Sequence, residues 1–170
     1  LDQLLREARF LETSYDTIIS RLSQNENMRQ HLPSIHPVKG PSWMSSSFGY
    51  RQDPFTGRRQ FHNGVDLAGW PGTPVIATAD GTVEKVGYDR RLGYYVSIDH
   101  NYGYRTIYGH LRKKSALEKG DPIKRGEVVG EMGKSGRATA THVHYSVVKN
   151  GRAEDPLLYI FEDRNRLAQF

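Results

Sequence analysis

Two hydrophobic rhythms divide the chain. Near its start, Leu4, Ala8, Leu11, Tyr15, Ile18 and Leu22 recur at intervals of 4, 3, 4, 3 and 4. This is a heptad seam, and it predicts one helix from Leu1 to about Arg29. No Gly or Pro interrupts the run before Pro33, and charged residues fill much of the remainder. The seam fits a helix docked on its own domain or the end of a longer coiled coil. It is already in phase at the first residues, which favours the coiled coil.

Pro33, Pro37 and Pro41 then break the pattern, and the residues before them are biased to extended geometry. Residues 31–44 therefore read as a proline-rich linker, with His31 and His36 as bystanders. From Ser45 the period shortens to that of strands, punctuated by Gly, which predicts a mainly β domain over residues 45–161. Candidate strands are Pro74–Ala79, Thr82–Tyr88, Tyr94–Asp99, Tyr104–Tyr108, Val128–Met132 and His142–Val148. Asp80-Gly81 reads as a two-residue hairpin turn between the first two. Asn101-Tyr102-Gly103 and Asn150-Gly151 mark two further turns. Asp155-Pro156 looks like an N-cap and first position of a short helical turn, and residues 162–170 form a tail.

Composition narrows the chemistry. Of 170 residues, 36% are hydrophobic and 25% charged, enough for one globular domain and a smaller segment. The absence of cysteine excludes disulfides, thiolate metal sites and cysteine nucleophiles. No run approaches the roughly 18–20 apolar residues of a membrane span. The chain begins at Leu1 rather than Met, so a processed product is expected, and a signal or membrane anchor would belong to the missing part. The net charge of +5 suits nucleic acid, anionic membranes or anionic wall polymers. Its positive residues are scattered, with no dense tract or nucleic-acid motif, which argues against nucleic acid.

Chemistry concentrates in the histidines. Five of the seven lie in the β region: His62, His100, His110, His142 and His144. In Thr141-His142-Val143-His144 the two imidazoles are two residues apart on a strand and point to one face. They either bind one metal together, divide binding from proton transfer, or sit on a solvated face. His62 and Asp66 would be roughly 13 Å apart on a straight strand. Asn63-Gly64 between them is a turn signal that would bring them together. One His, one Asp and a second His from a distant strand make the three-ligand N/N/O set of a catalytic zinc site, with a fourth position left for water. His110 ends a predicted strand, from which it reaches a groove and can serve as base or acid.

Set in order, these residues resemble the LytM/lysostaphin-type zinc metalloendopeptidases that cut peptidoglycan peptides. The match runs from about Ser46 to Tyr159. It includes Ser47-Phe48-Gly49-Tyr50-Arg51, His62-Asn63-Gly64-Val65-Asp66, Gly72-Thr73-Pro74-Val75, Ala79-Asp80-Gly81-Thr82-Val83, Tyr108-Gly109-His110-Leu111 and His142-Val143-His144. The resemblance implies a groove along one face of an antiparallel sheet and a zinc ion held by His62, Asp66 and His144. It gives His110 and His142 joint duty in catalysis and leaves His100 structural. It implies a metal-activated water attacking a peptide cross-link in the bacterial cell envelope. A non-catalytic wall-binding or hydrolase-activating module on the same fold is the competing expectation. In either case the helix of residues 1–30 would self-associate, tether the domain, meet an envelope protein or cover the groove until a partner moves it. Two departures stand out: Ala140-Thr141 where the family usually has Gly-Pro, and Ser146 where it often has Glu. They are expected to reshape the loop beside the groove and its peptide preference.

Overall fold

The computed structural model describes residues 25–160. The chain resolves into two compact units, residues 1–30 and 31–170. In the first, residues 25–30 are helical. The expected helix over residues 1–30 and its heptad positions from Leu4 to Leu22 otherwise lie outside the described residues, as does the tail.

The second unit is a mainly antiparallel β domain. Its strands are β1 (Ser42–Ser46), β2 (Gly49–Gln52), β3 (Arg59–His62), β4 (Val65–Gly69), β5 (Pro74–Ile76), β6 (Gly81–Asp89), β7 (Gly93–Asp99), β8 (Tyr104–Leu111), β9 (Pro122–Ile123), β10 (Val128–Glu131), β11 (His142–Lys149) and β12 (Arg152–Glu154). The main sheet runs β1-β4-β11-β8-β7-β6-β9, with β12 paired to the end of β11; β5–β10 and β2–β3 are separate ribbons.

Alternation explains the central strand. Val143, Tyr145 and Val147 of β11 enter a core shared with Val65, Leu67, Val96, Ile98 and Tyr108, and Val75 and Val129 of the β5–β10 ribbon join it. His142, His144 and Ser146 take the opposite face, yet all three are buried. Its residue types still alternate although both faces are covered. Val65–Gly69 lacks so clear a pattern: it reads as part of a turn motif but is β4, next to β11 in the sheet.

Three local expectations change. The proline-rich segment is tied to the domain rather than hanging free. Ser34 and Lys39 donate backbone hydrogen bonds to Thr78 and Pro74, Ile76 donates to Pro37, and Val38 is buried. Extended backbone, imposed by the prolines, is what lets it lie along β5. Asp80-Gly81 is not a hairpin turn, because β5 pairs with β10 while β6 pairs with β7 and β9. Gly81 is needed for closeness: a Cβ there would stand 2.4 Å from the Asp99 carbonyl oxygen. The predicted strand Pro74–Ala79 is accordingly cut to Pro74–Ile76.

The other turns follow expectation. Asn150 and Gly151 (φ 48° and 78°) link β11 to β12. Asp155 caps the short 3₁₀ turn Pro156–Leu158, its side chain accepting from the Leu157 N–H.

Behind the sheet runs a buried hydroxyl chain. His100 Nδ1 donates to the Asp80 carbonyl at 2.8 Å, and its Nε2 meets Thr106 Oγ1 at 2.7 Å. Thr106 Oγ1 also lies 3.0 Å from the Tyr108 hydroxyl, which with that of Tyr145 converges on Thr78 Oγ1. Every member is satisfied, so the network stiffens the core instead of weakening it. His100 is structural.

Candidate metal centre

The strand register places the site. Within the sheet, His144 of β11 sits opposite Asp66 of β4 on one side and Gly109 of β8 on the other. His62, at the end of β3, comes in from the β2–β3 ribbon. A bend at Asn63-Gly64 then redirects the chain into β4. Gly64 does not adopt a positive φ. Its missing Cβ matters because one would lie 2.4 Å from the Tyr145 carbonyl oxygen and 2.9 Å from His144 Cε1. The turn signal in the sequence thus led to the right proximity through close packing rather than turn geometry.

Three ligand atoms converge. His62 Nε2 is 3.1 Å from Asp66 Oδ1 and 3.0 Å from His144 Nδ1, and His144 Nδ1 is 2.9 Å from Asp66 Oδ1. Tetrahedral ligands about 2.0 Å from one ion would be about 3.3 Å apart, so the set closes on a space of the right size. The donor chemistry fits as well. His62 Nδ1 donates to the Ser47 carbonyl at 2.8 Å, which leaves Nε2 as the lone-pair nitrogen. Among the described residues this is the only group of three or more potential ligands so gathered.

Burial governs the charges. It opposes ionisation of Asp66, but the His144 and His62 imidazoles beside the carboxylate outweigh it, so the Asp66 carboxyl lies well below the usual carboxylate range. Arg51 adds a hydrogen bond from Nη2 to Asp66 Oδ2 at 3.4 Å. Burial also pushes the His144 imidazole down, against the pull of Asp66.

His110 and His142 stand beside the triad, their ring centroids 4.5 Å apart. Strand alternation would send His110 to the same side as Tyr108, into the core. Instead its φ is 58°, a left-handed conformation uncommon for a side chain of this size. That kink, together with a bond from its backbone N–H to the Leu92 carbonyl, brings the ring onto the groove. His110 Nδ1 donates to the Ser135 carbonyl at 2.7 Å and His142 Nδ1 to the Ala140 carbonyl at 2.9 Å. Both rings therefore keep Nε2 for exchange of a proton. Burial lowers His110 to about 4, aided by neighbouring His142 and His144 and opposed by the Ser135 carbonyl. It is neutral near pH 7. His142 Nε2 lies 3.8 Å from Asp66 Oδ1.

All five residues singled out in the sequence line one groove of about 850 Å³. Its walls are joined by a polar bridge. Arg137 Nη2 donates to Asp53 Oδ1 at 2.7 Å, and the Arg137 guanidinium lies 4.5 Å from the Phe55 ring centre. With its amide oxygen turned to Arg91, Gln60 accepts from Arg91 Nη2 at 2.6 Å and donates to Asp53 Oδ2 at 2.9 Å. The sequence offered no pattern for this bridge. Nor did it assign Arg51 a role at Asp66, although Arg51 stands in one of the motifs. The two departures take a different meaning here. Ala140 supplies its backbone carbonyl to His142, and Ser146 lies on β11, its Oγ 2.9 Å from His144 Nε2. Ser146 therefore acts at the centre rather than on a loop beside it.

A β groove carrying a His/Asp/His cluster flanked by two histidines defines a metallopeptidase-type domain. The chain belongs to peptidase family M23, whose model matches residues 60–156. It is 44% identical over 124 residues to an uncharacterized metalloprotease of Haemophilus influenzae, covering 72% of this chain and 26% of that one. It is 39% identical over 114 residues to the peptidoglycan DD-endopeptidase ShyC of Vibrio cholerae, covering 66% and 26%. A solved zinc-containing peptidase from Vibrio cholerae superposes with a TM-score of 0.66 at 38% identity, covering 72% of this chain and 38% of that one. The chain thus spans about a quarter of the length of these curated relatives.

Proposed function

We propose that the domain is a zinc endopeptidase that hydrolyses cross-linking peptides of bacterial peptidoglycan in the cell envelope. The observation that carries this reading is the convergence of His62 Nε2, Asp66 Oδ1 and His144 Nδ1 within 3.1 Å of one another, with two proton-exchanging histidines alongside. A binding or activating module has no need of that complete set, so the catalytic reading is preferred. Similarity to a peptidoglycan DD-endopeptidase supports the substrate class. The net charge of +5 favours an anionic polymer.

A zinc ion held by His62, Asp66 and His144 would polarise the scissile carbonyl and acidify a water molecule. The remaining work belongs to the chain. Arg51 and the sheet register hold Asp66 in place, and Ser47 fixes the ligating nitrogen of His62. The Ser135 and Ala140 carbonyls keep Nδ1 of His110 and His142 protonated, so Nε2 of each is the atom that takes or gives the proton. Together they carry a proton from the attacking water to the departing amine and stabilise the developing oxyanion.

The test is metal analysis joined to digestion. Purified protein should carry one zinc per chain, and H62A, D66A and H144A should each lose it. Wild type should release cross-linked peptide fragments from purified sacculi, identified by mass spectrometry, and these variants should not. Wild-type protein that takes up no zinc in metal-replete buffer would defeat the proposal.

A further inference from the structure

Ser146 is a buried polar side chain of β11 that the proposed chemistry does not use. It is 2% exposed, two residues beyond His144 on the same strand face, and its Oγ lies 2.9 Å from His144 Nε2. The space around this pair is tightly drawn. A Cβ on Gly64 would come within 2.6 Å of Ser146 Oγ as well as 2.9 Å of His144 Cε1. The His144 ring is thus clamped between the ligand cluster at Nδ1 and a hydroxyl at Nε2.

A hydroxyl differs from other partners in one respect: it both donates and accepts. When Nδ1 holds a proton shared with Asp66, Nε2 is a lone-pair nitrogen and Ser146 Oγ–H donates to it. When Nδ1 is a metal ligand, Nε2 carries the proton and donates to Ser146 Oγ. The same contact survives both tautomers with rotation of one hydroxyl hydrogen. A carboxylate at this position would accept only, and an alanine would leave Nε2 without a partner in a buried site.

We infer that Ser146 is a positioning residue that seats the His144 ring for metal binding in both the empty and the loaded state. This rests on the reading of His62, Asp66 and His144 as a metal centre.

The probe is zinc alone, measured by competition with a chromophoric chelator on the full chain, for wild type, S146A and S146T. S146A should weaken zinc binding by roughly 10- to 100-fold, the range typical of lost partners behind a ligating histidine. S146T, which keeps the hydroxyl, should bind zinc within a few-fold of wild type. Thermal melting of the metal-free proteins checks that the fold is kept. A role in packing alone would move the melting temperature and leave zinc affinity untouched. If wild type and S146A bind zinc equally, the inference is overturned while the metal centre stands. If wild type binds none, both fall. Weak binding by S146A that S146T fails to restore also overturns it, since the hydroxyl would then not be the cause.

Discussion

In the proposed mechanism single residues divide into those that would hold an ion and those that would move a proton, and the division follows which nitrogen each ring has free. His144 turns Nδ1 to the cluster, whereas His142 spends Nδ1 on the Ala140 carbonyl and keeps Nε2. H142A is therefore expected to retain full zinc and lose turnover by about 10²-fold or more, the scale of a lost general acid or base. Parallel zinc content and sacculus digestion check it, and loss of metal would contradict the division. The sequence made the five candidate residues that line the groove legible through residue type and place: two histidines at period 2, a His and an Asp four apart around a glycine, and His110 at the end of a strand. It did not show the partners behind them. The Ser47, Ser135 and Ala140 acceptors are backbone carbonyls, which leave no mark in residue identity. The φ of 58° at His110 was hidden too, since histidine does not advertise a left-handed backbone as glycine does.

At the scale of elements, strands whose residue types alternate were readable even where both faces are covered, as in β11, and short strands beside turn signals were not. β6, β7, β8 and β11 appear in the sequence with ends shifted by at most three residues. β4 was lost because Asn63-Gly64 before it reads as a turn and Leu67-Ala68 breaks its alternation, and β9 is only Pro122–Ile123. What locks the elements together is the buried hydroxyl chain, and it has a consequence for pH. His100 titrates near 4 in the folded domain, below its ordinary 6.5, because burial disfavours the charged ring. Between those values the unfolded chain binds the extra proton, so stability is complete above pH 6.5 and falls as pH drops toward 4. The loss from this residue is roughly 3 kcal/mol. Urea unfolding from pH 7 to pH 4 should show it, and H100N should flatten the slope. An unchanged slope would mean that His100 is not the group responsible.

For the molecule as a whole, the site is a product of the sheet rather than of any local segment. Its candidate ligands come from distant parts of the chain: His62 and Asp66 lie 82 and 78 residues from His144. They meet only after β4, β11 and β8 have paired. That order has a meaning in time. A small zinc domain with local ligands can use the ion to start folding; here the ion has nothing to grip until the slow, long-range pairing is finished. Zinc should then leave the refolding rate unchanged and slow unfolding, since the contacts that it strengthens are absent from the transition state. Stopped-flow unfolding and refolding in denaturant, with zinc and with chelator, would register this as one arm of the chevron shifting while the other stays in place. Faster refolding with zinc would show that the ligands gather before the sheet. On the expected result, the ion arrives last and acts as a brake on unfolding, prolonging the life of the folded domain without hastening its formation.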